Sequence, residues 1–501
     1  MVRFVFSAFI SVHLRLNLAS GFASCYLLAA TCFRYKAGVP QVHITSAGIA
    51  ALLDRLPPSR YLRNLVARIS IGGFFELYDL FMTGYIAVGF IKSGVFRTTT
   101  PEPWDIHGFA SFVGSGFAGM FLGTLVFSWF SDRYGRRAMF TLSLLWYSLA
   151  TLIMAFMHTA AMIDLWRFIC GLGIGVQLVT ISSYITEITP KTARGQYIAL
   201  SQVISYCAVP CVAAISLLAI PHSWFGIAGW RYVALAGGAG ALVVWFLRAR
   251  LPESPRWLAA HGRYTEALNV ISKLESKVFR ETGGKLPEPE PSTAETEGRH
   301  GAWIEIWKQP YLGRTVMLTV FNAFQAIGYY GFAAWVPVLL VNEGIDITKS
   351  LLYVLLMAML NPIGSIIAMR YADTLQRKWQ IVVLALTIAA CGLVWAQQRT
   401  AAGIVLLGGV ITLANSWFSC ALHTYQAELY PTRIRAQAVG FVYSWSRFTS
   451  IFVGFLIAQV LHSYGTLGVF AIIATAMLIV AIVVGAFGPK SNRIQLEVLS
   501  G

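Results

Sequence analysis

The chain has 501 residues, of which 57% are hydrophobic and only 12% charged, with a formal net charge of +16. Soluble domains carry about 25% charged residues because their surface needs polar cover, so a water-soluble enzyme is excluded. The basic excess could suggest nucleic acid, but its placement, concentrated in every second loop with few in between (chiefly Arg97, Lys349 and Arg399), argues against that too.

In chain order, residues 1–68 form an N-terminal extension. Within it, segment 16–33 is apolar and flanked by Arg3, Arg15 and Arg34. A thirteenth span there would break the parity of the charge map. Residues 1–38 are therefore expected to be dispensable or disordered, with Val39 an alternative start. Twelve apolar runs follow, each near the ~20 helical residues that cross a bilayer: 69–91, 108–130, 138–157, 162–186, 197–219, 230–249, 313–340, 349–371, 379–397, 402–427, 437–461 and 465–487. They are expected as two six-helix bundles, 69–249 and 313–488. A linker at 250–312 joins them, with an amphipathic helix over 257–278 and disorder over 281–300; residues 489–501 form a tail. The fold class is thus an all-α membrane protein of twelve transmembrane helices in two pseudo-symmetric halves.

Basic residues gather before the first span and in every second loop, as at Arg133, Arg136, Arg137, Lys191, Arg194, Arg377, Lys378 and Arg435. The positive-inside rule puts those loops and both termini in the cytoplasm, most simply of a cell's inner membrane.

A charged motif is written twice. Asp132, Arg136, Glu187 and Arg194 recur as Asp373, Arg377, Glu428 and Arg435, each 241 residues on, and Gly123 recurs as Gly364. A constant offset means a duplicated unit, the architecture of transporters that rock one half against the other. Glycine ladders in spans two and four (Gly114, Gly116, Gly119, Gly123; Gly171, Gly173, Gly175) suit close helix packing.

Charges at mid-membrane depth are functional candidates by default. Glu76 and Asp79 lie three apart in span one, with Asp79 roughly 15 Å deep at 1.5 Å per residue. Their repulsion favours a proton on one of them. This reads as proton coupling, against a plain packing acid held by a basic partner. Arg447 is similarly deep in span eleven; its fork suits a carboxylate, either a substrate's or that of Asp79 or Glu76. Gln325, Asn415 and Gln177 are candidate substrate-binding amides, with helix–helix hydrogen bonding as the plainer role. Gln202, Asn322, Asn361 and His423 are weaker candidates of the same kind. Tyr330, with Tyr78, Tyr329, Trp417 and Trp445, could stack on an aromatic solute or sit in an interfacial belt.

The Asp-Arg-Tyr-Gly-Arg-Arg turn at Asp132–Arg137, the Glu187/Arg194 and Glu428/Arg435 pairs, and Pro252-Glu253-Ser254-Pro255-Arg256-Trp257-Leu258 resemble the major facilitator superfamily over residues 69–488. Arg167 with Gly171-Leu172-Gly173 is similar to the sugar-porter and organic-ion branches. Gly328-Tyr329-Tyr330-Gly331-Phe332 looks more like the metabolite, niacin and aromatic-acid proton symporters, and lacks the paired glutamines of hexose porters. The departures are Ser128 and Gln376, where the family has glycine. The resemblance implies a cytoplasmic gate of Asp132, Arg136, Glu187, Arg194, Asp373, Arg377, Glu428 and Arg435, latching the halves together when the cavity opens outward. Glu76 and Asp79 match the paired acids of the aromatic-acid symporters, and Arg447 the span-eleven arginine of organic-anion carriers.

The expected protein is therefore not an enzyme and needs no metal or cofactor. It is a monomeric secondary transporter of a small organic solute, an organic or aromatic acid, with a proton. A uniporter or exporter on the same fold is the first alternative, and a transporter-like sensor the second.

Overall fold

The computed structural model describes residues 46–97, 105, 107–240, 243, 251–283, 286–289, 303–371, 374–430 and 432–490. Helices dominate, and they fall on the twelve expected runs. By length and composition, eight described helices or joined helices could cross a membrane, or nine with one bent pair. The difference from twelve has local causes. Span two runs Phe109–Tyr134, of which the stretch counted as apolar helix is Phe109–Leu125, up to side chains outside the described set. Span six, Gly229–Gly238, abuts residues outside the described set. Spans eleven and twelve run together as Thr432–Phe487, interrupted at Gly465, where φ is 65°.

Several spans are broken where the sequence removes a hydrogen bond. Span five is Arg194–Tyr206 followed by Ala208–Ala219, because Pro210 has no N–H for the carbonyl of Tyr206. Span seven bends by 55° between Tyr311–Ala333 and Val336–Asn342, next to Pro337. Span eight is Ile347–Ala358 and Leu360–Tyr371, with Pro362 just past the break. One feature lies outside the all-helical expectation: Ser223–Trp224 pairs antiparallel with Ile227–Ala228 through Phe225 and Gly226, both at positive φ.

Span one begins earlier than expected. The helix is Arg60–Lys92, and Ser59 caps it by accepting from the Leu62 N–H at 3.2 Å. Its first turns are basic, so hydropathy alone does not see them. The extension also contributes structure. Helix Ser46–Asp54 lays Ile49 and Leu52 against Trp257, Leu258 and Ile271 of the linker. Asp54 pairs with Arg256 at 2.8 Å, and Arg55 Nε donates to Glu275 at 3.0 Å. Residues 46–59 of the extension are therefore part of the fold; residues 1–45, which include the segment expected to be dispensable, lie outside the described residues. The expected amphipathic helix is split, as Pro255–Ala260 and Tyr264–Thr282, by Gly262 at φ +72°. Its buried Ala267, Ile271, Leu274 and Val278 form the single stripe that 3.6-residue periodicity requires. Most of the expected disordered stretch, 290–300, lies outside the described residues.

The duplication is visible in three dimensions. Gly123 lets span two touch the backbone of Leu172, and Gly364 lets span eight touch the backbone of Leu413, 241 residues on. A side chain at either glycine would strike that backbone.

Candidate functional site

Call the end bearing the duplicated charges the motif end. There Gly135 turns between spans two and three at φ +96°, and the helix Arg136–Met154 starts at once. Its first N–H groups need acceptors. The Arg136 and Arg137 N–H groups donate to Glu253 Oε1 at 3.0 and 3.1 Å. Burial pushes the Glu253 carboxyl up from its ordinary value, while these N–H donors and that of Ser254 pull it back down. The Arg136 guanidinium pairs with Glu187 at 2.8 Å, and Arg377 pairs with Glu428 at 3.0 Å. Both pairs close within one half. Among the described residues, neither of these two pairs is a bridge between the halves, which a latch implies. The side chains of Asp132 and Arg435, and all of Asp373, lie outside the described residues; Arg194 opens span five.

At the far end the halves are in contact. Gly84 of span one packs on the backbone of Ala333 and Ala334 of span seven, and Gly114 packs on Phe455 and the Ile451 carbonyl. Phe109 and Trp335 stack edge-on at 5.2 Å, and Phe117 and Tyr330 at 4.6 Å. Between this seal and the motif end lies a cavity of about 980 Å³, counting the part open to solvent. Ile185 and Ile198 line its side nearer the motif end.

The cavity brings together residues far apart in sequence: Glu76 of span one, Gln325, Tyr329 and Tyr330 of span seven, His423 of span ten and Arg447 of span eleven. Arg447 is 2% exposed. One Nη donates to the Tyr330 hydroxyl, the other to the Tyr443 hydroxyl at 2.9 Å, and Nε is buried with no hydrogen-bond partner among the described residues. Glu76 is 5% exposed and has no hydrogen bond or ion pair among the described residues. Gln325 donates to Ser446 at 3.0 Å. Tyr206 and Tyr329 bring their hydroxyls to 3.3 Å across the halves.

Asp79 has a different environment. It lines none of the cavities and is sealed at 1% exposure. It pairs with Arg167 of span four and accepts from Thr151 at 3.0 Å, with the Cys170 sulfur 3.6 Å away. Arg167 also donates to the Asp79 carbonyl at 3.2 Å and to Thr83. Three residues along a helix are about 60° apart in direction at 3.6 residues per turn. That angle sends Glu76 to the cavity and Asp79 into the first bundle, so the two expected partners are not neighbours in one wet site.

Two expected ligands fall elsewhere. Gln177 is fully buried against Ser143, a contact between spans four and three, and does not line the cavity. Asn415 lines a second, smaller cavity of about 420 Å³ with Asn361 and Thr412, reached past Tyr329. Sequence reasoning missed Tyr443 and the pairing role of Arg167. Both had signals: Tyr443 lies four residues before Arg447, one helical turn away, and Arg167 is a second guanidinium inside a span that needs a carboxylate.

Two helical halves around a cavity with buried charges at its walls define a membrane transporter of the major facilitator superfamily. The chain belongs to its sugar (and other) transporter family, whose pattern matches residues 65–500. It is 30% identical over 458 residues to the inner membrane metabolite transport protein YdjE of Escherichia coli (strain K12), covering 90% of this chain and 98% of that one. It is 28% identical over 453 residues to the niacin transporter NiaP of Acinetobacter baylyi, covering 90% and 99%. Among solved structures, a partially occluded inward open conformation of the xylose transporter XylE from E. coli superposes with a TM-score of 0.69 at 18% identity, covering 86% of this chain and 99% of that one. That likeness shows the fold.

Proposed function

We propose that this transporter moves a small organic acid, aromatic acids included, together with a proton. The observation that carries the reading is that Glu76 and Arg447 line one cavity at mid-span depth. A buried guanidinium with an unused N–H favours an anionic guest. A carboxylate left without a hydrogen bond at that depth costs about 2.5–3.5 kcal/mol on insertion scales. A proton, or the arginine once the solute has left, would relieve it. Glu76 is then the carboxylate that protons reach from the motif end. Asp79, held by Arg167, is the second coupling carboxylate, exposed in turn only if that pair opens. The basic loops place the motif end and both termini in the cytoplasm. The gate pairs, closed within each half here, would re-pair across the halves when the motif end shuts. Related carriers support the solute class: one relative is a niacin transporter.

The test is uptake by proteoliposomes under an imposed acid-outside pH gradient, with a panel of labelled aromatic and aliphatic carboxylates. A one-proton symporter accumulates solute up to about tenfold per pH unit, and a protonophore abolishes that accumulation. Glu76→Gln is expected to keep counterflow and lose accumulation; Arg447→Gln is expected to weaken binding tenfold or more. Uptake indifferent to the protonophore and to Glu76→Gln would leave the uniporter reading in its place.

A further inference from the structure

We propose that His423 is a second solute-binding point. On this proposal it accepts a hydrogen bond and restricts the cargo to acids bearing an O–H or N–H donor about one aromatic ring from the carboxylate. This rests on the acid reading above and sharpens it.

The geometry begins with the imidazole's tautomer. His423 Nδ1 is 2.7 Å from the carbonyl oxygen of Ser419, one turn earlier in span ten. A carbonyl only accepts, so Nδ1 must carry the hydrogen. In the neutral ring the other nitrogen, Nε2, is then an acceptor. No partner takes it among the described residues, and His423 lines the cavity with its side chain exposed there. A helix–helix hydrogen bond, the plainer role expected for this residue, is absent among the described residues, where its one polar contact is within its own helix.

The position relative to Arg447 bounds the solute's length. The His423 ring lies 5.2 Å from the Tyr443 ring, and the Arg447 guanidinium carbon lies 5.0 Å from that same ring. One tyrosine therefore touches both an open acceptor and a buried guanidinium whose Nε is unpartnered, and the two lie at most about 10 Å apart. A solute that offers its carboxylate to Arg447 and a donor to His423 Nε2 has the span of a substituted benzene ring. An acid without the donor leaves Nε2 desolvated and unpaired, and that asymmetry is the usual source of strong discrimination between a donor-bearing ligand and its analogue.

Binding to the purified full chain in nanodiscs, read by calorimetry, tests this with benzoate, 3- and 4-hydroxybenzoate, and 4-methoxybenzoate, the last keeping the ring oxygen but without a donor. The wild type should bind one hydroxybenzoate about threefold to tenfold more tightly than benzoate and the methoxy compound. His423→Phe should erase that preference, bringing the hydroxybenzoates level with benzoate, and His423→Gln, which keeps an acceptor oxygen, should retain part of it. Equal binding of the hydroxy and methoxy acids by the wild type overturns the proposal without recourse to any variant. So does a preference that survives His423→Phe. If no member of the series binds the wild type while an aliphatic carboxylate does, this inference falls alone; if no carboxylate binds, the acid reading falls with it.

Discussion

Asp79 and Glu76 show how far residue-level reasoning reaches. Both were legible as expensive mid-membrane carboxylates, because cost depends on type and depth alone. Their separate fates depend on a 60° difference in direction and on Arg167 arriving from another helix. The Asp79–Arg167 pair is almost fully buried on both sides, at 2% and 1% side-chain exposure. Removing one member of such a pair leaves an uncompensated charge, at a typical cost of about 3–5 kcal/mol, whereas removing both can be nearly neutral. Arg167→Gln should therefore lower the thermal stability of the purified protein sharply, and Asp79→Asn with Arg167→Gln should recover much of the loss. A double variant no more stable than Arg167→Gln alone would mean that the two side chains do not act as a pair.

Among the elements, glycine positions decide which helices touch. Spans two and four, and spans eight and ten, approach at Gly123 and Gly364 until backbone meets side-chain space. Without a hydrophobic drive between helices in lipid, that approach supplies packing energy. Gly123→Val and Gly364→Val should each abolish monodisperse protein in detergent, because the atom met is a main-chain carbonyl that cannot swing aside. Gly440→Ala, in helix with nothing within 4 Å, should be neutral or stabilising by up to about 1 kcal/mol. Size-exclusion profiles and melting temperatures would compare the three, and normal behaviour of the two valine variants would refute the contact. The glycines and their repeat were readable in the chain; the breaks in spans five, seven and eight were readable only in hindsight from Pro210, Pro337 and Pro362. A proline marks where a hydrogen bond is missing, not whether the helix bends or ends there.

At the scale of the whole molecule, the far end is shut and the cavity extends toward the motif end. Gly454 of span eleven faces Ala110 of span two, where an added Cβ would stand 3.5 Å from the Ala110 Cα. Cysteines at these two positions, in a chain with its seven natural cysteines replaced, have Cα atoms no more than about 5 Å apart, within the reach of a disulfide. Oxidation should join the halves and cut transport below about a tenth, with recovery on reduction, as locking one member of a two-state equilibrium requires. Full transport by the oxidised pair would mean that the far end need not open. Length, apolar runs and the offset of 241 residues suffice for the class, the two halves and the depth of each charge, since those follow from periodicity and from the cost of charge in lipid. Which charges share a cavity was decided only in three dimensions. Glu76, His423 and Arg447 lie on three separate helices, and no local pattern specifies the rotation of one helix against another. That rotation comes from packing between helices, which sends Gln177 and Asp79 into the first bundle and leaves Arg447 at the cavity wall.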